Sequence, residues 1–193
     1  NLSLAADSTE SWQTDPLCVA VRSAAAAGIT VVVAAGNYGK NLLGKENYGT
    51  IASPGNDPSV ITVGSVNHKN NTQRSDDQVN MFSSRGPTRG GFTDATGVVR
   101  KDNVLKPDLV APGNAIVGAM ATAASSSSPT RNLMATLFNA QLVVPVGASQ
   151  AYGETQMLMS GTSIAAPVVA GTVALMLQAN PGLTPPLIKA MLQ

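Results

Sequence analysis

The chain of 193 residues has little charge: 12% of its residues are charged and the net charge is only +1. This balance argues against a surface that binds nucleic acid or an anionic membrane. Apolar residues make up 44%, which is enough for a core and argues against disorder. The longest apolar run, around 164–177, is interrupted by Pro167 and Gly171, so no membrane span is predicted.

Cysteine and histidine each occur once, as Cys18 and His68. A single cysteine cannot form an internal disulfide, and the cysteine count therefore leaves the redox compartment open. The apolar pattern around Cys18 predicts a buried core thiol, and no cluster of metal-ligating residues is present in the sequence. The chain shows no secretory signal and opens in what looks like a strand, so we expect an internal piece of a longer protein.

Runs rich in β-branched residues alternate with helical patterns along the chain. Apolar runs without alternation predict strands buried on both faces at 29–37, 58–66 and 106–113. Asp15 and Gly28 suit the start and the stop of a first helix. A second helix is predicted over 163–179, and a last one begins at Pro185 with Thr184 as its cap. This order predicts an α/β fold with a mostly parallel sheet.

Two polar or small-residue regions interrupt the strands and helices. The segment 67–103 is predicted to form surface loops with a hairpin, and 118–157 is predicted to be a surface insert. No internal repeat or domain boundary is evident. We therefore predict one domain over 1–193.

One serine, Ser163, lies among small residues in the stretch "SGTSIAAPVVAG". If a helix begins there, its first amides lack internal acceptors and favour negative charge. Pro167 removes the amide that would bond the carbonyl of Ser163. The simpler interpretation is a capping serine in a closely packed helix. No Asp, Glu or His follows Ser163, which excludes the residue order of an α/β-hydrolase.

An asparagine, Asn37, ends the stretch "VVVAAGN", directly after a predicted buried strand. Ligands of open parallel sheets bind outside the carboxyl ends of the strands, where a side-chain amide can donate to a developing oxyanion. The alternative is that Gly36 and Asn37 only form a turn.

Several blocks, in order, resemble the subtilisin-like serine peptidases. They are "NLSLA", "VVVAAGN", "SPGNDPSVITVGSV", "FSSRGPT", "KPDLVAPG" and "SGTSIAAPVVAG", and together they span nearly the whole chain. The resemblance implies a three-layer sandwich, with Ser163 as nucleophile. It also implies that Asn37 and the amide of Ser163 donate to the oxyanion.

The resemblance also implies a substrate cleft. Ser3, Leu4 and Ala5 would form one wall, whose backbone pairs with an extended peptide. The opposite wall and the approach to the nucleophile would be Ala34, Ala35, Gly36, Gly161 and Thr162. The two alanines suggest room for a fairly large apolar substrate residue.

The chain departs from the family pattern in two ways. Val168 stands where the family usually has a histidine that is not the catalytic base. The family's Asp and His motifs precede the position that matches Asn1, so we expect the fold to be incomplete, without its N-terminal strands. His68, in a polar loop, is interpreted as a surface histidine and not as a substitute base.

The resemblance therefore implies the C-terminal part of a secreted or extracellular serine endopeptidase, which we expect to be inactive by itself for lack of the triad Asp and His. The alternatives are a non-catalytic peptide-binding or structural half, or one chain of a processed two-chain enzyme. No cofactor is expected to be required, and the resemblance allows calcium in the complete enzyme. The expected partners are a peptide or protein substrate, the missing N-terminal half, and further copies bound through an exposed sheet edge.

Overall fold

The computed structural model describes residues 1–119, 137–138, 141–143 and 156–193. The helices are α1 (Pro16–Ala26), α2 (Thr162–Ala179) and α3 (Pro185–Leu192), with a short 3-10 helix at Arg74–Asp76. The strands are β1 (Val32–Ala34), β2 (Ile61–Asn67), β3 (Gln78–Val79), β4 (Gly91–Thr93), β5 (Val99–Lys101), β6 (Leu109–Pro112), β7 (Ile116–Ala119), β8 (Leu142–Val143) and β9 (Gln156–Met159).

The central sheet is mostly parallel. Strands β1 and β6 both pair in parallel with β2, and β3 pairs antiparallel with the end of β2. The register places Val33 opposite Thr62 and Val110 opposite Gly64. The predicted parallel sheet is therefore confirmed, and the carboxyl ends of β1, β2 and β6 lie at one edge.

Successive residues of β1 pack on opposite faces of the sheet, as the period of a strand requires. Val32 and Ala34 face a cluster that also contains Val169 and Val173 of α2. Val33 faces a second cluster that includes Val21 of α1. Helices thus cover both faces, which gives the three layers that the family resemblance implies.

The first helix begins and ends at the residues that its sequence predicts. Asp15 Oδ1 accepts the amides of Leu17 and Cys18 at 2.9 and 3.2 Å. Burial of Asp15 raises its pKa, but hydrogen bonds, first from Ser8, outweigh this effect and the pKa is lowered. Gly28 follows the helix with a φ of 89°, a conformation that glycine adopts without strain.

The last helix starts at Pro185 as predicted, but the side chain of Thr184 makes no capping hydrogen bond. Pro186 removes one of the two amides that a capping side chain accepts, and the other, that of Leu187, makes no bond to Thr184. The predicted hairpin within 67–103 is present as β4 and β5. The predicted surface insert at 118–157 lies largely outside the described residues.

Two compact units divide the chain. The first comprises Asn1–Asn114 and Gly161–Gln193 and holds the central sheet and helices α1, α2 and α3. The second, Ala115–Ser160, contains an antiparallel sheet in which β9 lies between β7 and β8.

Helix α2 is long and apolar enough to cross a membrane by length and composition. Its residues Ala165, Ala166, Val169 and Val173 are buried in the cluster that covers the sheet. This packing favours a core helix over a membrane span.

Three charged side chains tie α3 to the sheet. Lys106 Nζ, almost fully buried, donates to Asp108 Oδ2 at 2.7 Å and to Thr62 Oγ1 at 2.8 Å. Lys189 Nζ lies 3.1 Å from the other oxygen of Asp108. Burial lowers the pKa of Lys106 to about 8, although the Asp108 carboxylate opposes this shift. Asp108 thus compensates a buried cation.

We expect Asp108→Asn to destabilise the full-length protein by about 3–5 kcal/mol, because removing one partner leaves a buried ammonium uncompensated. Urea unfolding measures this loss. The matched control is Asp94→Asn, since Arg100, the partner of Asp94, is 61% exposed and exposed pairs contribute little. Equally small losses of unfolding free energy in the two variants would contradict a structural role for the buried pair of Lys106 and Asp108.

Candidate functional site

Ser163 lies in the first turn of α2, at the edge where the parallel strands end. Gly161, the N-cap of this helix, donates its amide to Gly113 O, just after β6, at 2.8 Å. The φ of Gly161 is 152°, in a region that residues with a Cβ rarely adopt. A glycine at this position therefore lets the chain turn sharply into the helix and present Ser163.

The amide of Ser163 has no acceptor among the described residues. The amides of Ile164 and Ala165 both donate to Gly161 O, at 3.0 and 3.2 Å. The amide of Thr162 donates to Asn37. The remaining amide of the first turn, that of Ser163, is free to donate to a ligand at the positive end of the helix.

The side chain of Asn37 is oriented by Thr162. Asn37 Oδ1 accepts the Thr162 amide and the Thr162 hydroxyl, both at 3.0 Å. Thr162 Oγ1 in turn accepts the amide of Gly36 at 3.2 Å. Because Oδ1 is occupied twice, the amide nitrogen Nδ2 of Asn37 is the group left to donate. Two donors, Asn37 Nδ2 and the Ser163 amide, therefore flank the first turn of α2.

The hydroxyl of Ser163 has only one described partner, Ser3 O, at a long 3.4 Å. The Ser163 carbonyl accepts the hydroxyl of Ser3 at 2.7 Å. This second bond replaces the helical one that Pro167 cannot make. The prediction that Pro167 frees the Ser163 carbonyl is confirmed, and Ser3 binds that carbonyl to the neighbouring segment.

The segment Ser3–Ala5 lies between two anchored positions. Leu2 pairs with β1 through Leu2 N to Val32 O at 2.8 Å, and Ala6 exchanges backbone bonds with Ser53 at 2.9 Å. Between them, the backbone amides of Leu4 and Ala5 have no partner within the described part of the chain. These exposed groups suit pairing with an extended peptide.

Ala34, Ala35 and Gly36 lie on the other side of the site and are buried. Ala34 N donates to Leu2 O at 3.1 Å and Ala35 N to Val63 O at 2.9 Å. Gly161 and Thr162 are buried as well. The structure thus brings all ten residues predicted for the site into one region, while their substrate contacts stay predictions.

No described residue places a base beside Ser163. His68 follows β2 and lines a different pocket together with Asp77, and its Nδ1 is buried without a partner there. His68 is half-buried and is therefore less exposed than the predicted surface histidine; it lines this pocket together with residues 71–74. Asp57 is paired with Arg22, and Asp94 with Arg100.

Within the described residues, neither a metal site nor the cysteine thiol contributes to this region. Among the described ranges, no group of three or more His, Cys, Asp or Glu side chains could hold a metal. Cys18 is fully buried, as predicted, and donates to Asn56 Oδ1 at 3.0 Å. Burial raises the pKa of this thiol to about 12, so it is not a nucleophile at neutral pH.

Sequence reasoning missed two structural features. The first is the role of Thr162 in orienting Asn37, for which the only signal was its place beside Ser163. The second is a pocket next to the cleft, lined by Tyr38 and Arg89 among others. Arg89 lies in the polar segment that was interpreted as surface loops, and nothing local in that segment marks it.

Comparison with known proteins agrees with this geometry. The model of the subtilase family (peptidase S8) matches residues 1–193. "Serine protease AprX" of Bacillus subtilis (strain 168) is 40% identical over 181 residues, which cover 94% of this chain and 33% of that protein. "Subtilisin-like protease SBT2.3" of Arabidopsis thaliana is 38% identical over 117 residues, or 60% of this chain and 11% of that protein.

Solved structures share the fold. "S41 Psychrophilic Protease" superposes with a TM-score of 0.62 at 26% identity and covers all of this chain and 47% of its own. A "cold adapted subtilisin-like serine proteinase" gives a TM-score of 0.55 at 27% identity, covering 98% of this chain and 45% of its own. This chain therefore spans a third or less of the curated relatives and less than half of the solved structures.

Proposed function

Because the chain belongs to the subtilase family, we propose that the full-length protein is a serine endopeptidase whose nucleophile and oxyanion hole are supplied by this chain. The observation that carries the proposal is the double hydrogen bond from Thr162 to Asn37 Oδ1. These bonds leave Asn37 Nδ2 as the group that can donate to a ligand. Together with the Ser163 amide, it gives two donors at the Ser163 hydroxyl. Such preorganised donors stabilise the negative charge that develops in acyl transfer.

In the proposed reaction, Ser163 Oγ attacks the carbonyl carbon of the scissile peptide bond. A histidine from a segment outside this chain takes the hydroxyl proton, and an aspartate orients that histidine. The carbonyl oxygen becomes an oxyanion between Asn37 Nδ2 and the Ser163 amide. The histidine then protonates the leaving amine, and an acyl-enzyme remains on Ser163.

Water completes the cycle. The same histidine removes a proton from water, which attacks the acyl-enzyme through a second oxyanion in the same hole. Collapse of this intermediate releases the acid product and returns the proton to Ser163. No cofactor enters either step, and calcium in the complete enzyme would serve its structure.

Substrate binding is proposed to use the backbone of Leu4 and Ala5. Their unpaired amides and carbonyls would extend the sheet with a peptide strand. Such main-chain pairing gives affinity for many sequences and leaves the choice of residue to the pockets. Secretion, which the family resemblance implies, would bring the enzyme to extracellular proteins.

A peptide-binding or structural half without catalysis is the second candidate. It is favoured by one observation, the absence of a base beside Ser163 in the described residues. A denatured protein substrate, such as unfolded casein, distinguishes the two. We expect the full-length protein to cleave it and the isolated chain of 193 residues to bind without cleaving. Binding without cleavage by both would support the second candidate.

We expect the isolated chain to associate with itself. On the side of β1 away from β2, the described residues give only the bridge from Leu2 to Val33, and open sheet edges invite pairing. Helices α2 and α3 also expose Val168, Leu175, Leu187 and Met191. Sedimentation velocity over a range of concentrations tests this. A compact monomer at high concentration would contradict it, and the full-length protein is the control.

A further inference from the structure

The first three residues of the chain run beside β1, where Leu2 forms a parallel bridge. The Leu2 amide donates to Val32 O at 2.8 Å, and the Leu2 carbonyl accepts the amide of Ala34 at 3.1 Å. The Leu2 side chain packs on the cluster that contains Val21 of α1. Because side chains alternate along an extended segment, Asn1 and Ser3 face the other side of the sheet, where α2 begins.

The side chains of Asn1 and Ser3 form a chain of hydrogen bonds that ends on Ser163. Asn1 Nδ2 donates to Ser3 Oγ at 3.1 Å, and Ser3 Oγ donates to Ser163 O at 2.7 Å. An amide nitrogen can only donate, so the hydroxyl accepts from Asn1 and its proton is left for the Ser163 carbonyl. Asn1 thus orients the hydroxyl of Ser3.

The Ser163 carbonyl lacks the partner that a regular helix would give it. That partner is the amide four residues further on, and Pro167 has no amide hydrogen. Ser163 Oγ also donates to Ser3 O, at 3.4 Å. Two hydrogen bonds therefore join Ser163 to Ser3, which lies 160 positions away in the sequence.

On the basis of the proposed function, we propose that Ser3 is a positioning residue of the reaction. Its hydroxyl, oriented by Asn1, holds the backbone of Ser163 and so fixes where Oγ lies relative to the oxyanion donors. The first turn of α2 is then held twice, by Asn37 through Thr162 and by Ser3 through Ser163. Fixing a nucleophile before attack lowers the barrier, and small misplacements of reacting groups are costly.

A competing assignment limits Ser3 to the wall of the substrate cleft, with a hydroxyl that only stabilises the helix. The two assignments differ in what Ser3→Ala changes. Loss of substrate binding raises KM, and loss of a purely structural bond lowers the unfolding temperature. Loss of a positioning bond instead lowers kcat and slows every reaction of the Ser163 hydroxyl. The bond from Ser163 Oγ to Ser3 O favours positioning, because a bond that served only the helix would not involve the nucleophilic atom.

The test uses the full-length protein with a fluorogenic peptide and with a small fluorophosphonate that carries no peptide. We expect Ser3→Ala to lower kcat by about 2- to 10-fold, the range for one hydrogen bond between neutral groups, with KM and the unfolding temperature nearly unchanged. The rate constant for labelling Ser163 should fall by a similar factor, because the probe needs the same placement of Oγ. Ser3→Thr keeps the hydroxyl and should restore most of both rates.

A second background, Pro167→Ala, makes the test specific. This variant supplies an amide that can bond the Ser163 carbonyl within the helix. Adding Ser3→Ala should then lower kcat by less than about 2-fold relative to Pro167→Ala alone. The matched control is Ser23→Ala, which removes a hydroxyl that donates to Val19 O of its own helix at 2.9 Å; it should keep wild-type kcat and labelling.

Three results would overturn the positioning role of Ser3. The first is a higher KM with unchanged kcat and labelling, and the second is a lower unfolding temperature with full kcat per folded molecule. The third is an equal loss of kcat from Ser3→Ala with Pro167 present or replaced. A wild-type protein that cleaves neither the peptide nor casein, and is not labelled on Ser163, would instead overturn the proposed function.

Discussion

Replacing Ser163 with alanine in the full-length protein is expected to lower kcat by about 10⁶-fold, a figure carried over from the loss of the nucleophile in subtilisin itself. The expectation rests on the position of this hydroxyl. It stands at the start of α2, next to a helix amide without a described acceptor, and its one bond to a described residue is a long one of 3.4 Å to Ser3 O. Without Oγ no acyl-enzyme can form, whatever base the rest of the protein supplies.

The matched control for Ser163→Ala is Ser23→Ala. Ser23 is an exposed serine of α1 whose hydroxyl bonds only to Val19 O of its own helix. This control should keep wild-type turnover. Steady-state hydrolysis of a fluorogenic peptide measures both variants, and thermal unfolding shows whether each is folded. A folded Ser163→Ala protein that retained a substantial fraction of wild-type kcat would show that another residue is the nucleophile.

Replacing Asn37 with leucine is expected to lower kcat by about 10²–10³-fold with little change in KM, again a magnitude known from subtilisin and carried over. The physical reason is that Asn37 Nδ2 would meet the substrate oxygen as a full partner only when that oxygen carries negative charge. The variant therefore loses stabilisation of the transition state, whereas its affinity for the substrate is kept.

A second variant separates the donor role of Asn37 from its structural role. Asn37→Asp keeps an acceptor for the two hydrogen bonds from Thr162, at 3.0 Å each, but replaces the donor by an oxygen. We expect its kcat to fall at least as far as that of Asn37→Leu while the fold is kept. Near-normal turnover in Asn37→Asp would rule out Asn37 as the oxyanion donor.

The parts of the fold that follow from local sequence were predictable. Runs of β-branched residues without alternation, such as Val31–Val33, require a strand with both faces covered. Asp15 and Gly28 mark the ends of α1 because capping depends on adjacent residues only. The roles of Ser163 and Asn37 were predicted from the resemblance, and the structure adds the hydrogen bonds that these two residues make.

Features that depend on residues distant in sequence were not predictable. Lys106 and Lys189 meet at Asp108 only because α3 packs beside the sheet. A Cβ at Gly49 would lie 1.9 Å from Nε of Arg89, a residue far away in the sequence. No periodicity or capping rule encodes such contacts, since each is a consequence of tertiary packing.

Labelling with a fluorophosphonate tests directly whether Ser163 is the nucleophile, because this probe bonds to an activated serine. The full-length protein is treated with the probe, digested, and analysed by mass spectrometry to locate the adduct. We expect one adduct, on Ser163, and almost none in the isolated chain, since no described residue places a base beside that hydroxyl. An adduct on another residue of the active full-length protein, or strong labelling of the isolated chain that is lost in His68→Ala, would contradict it.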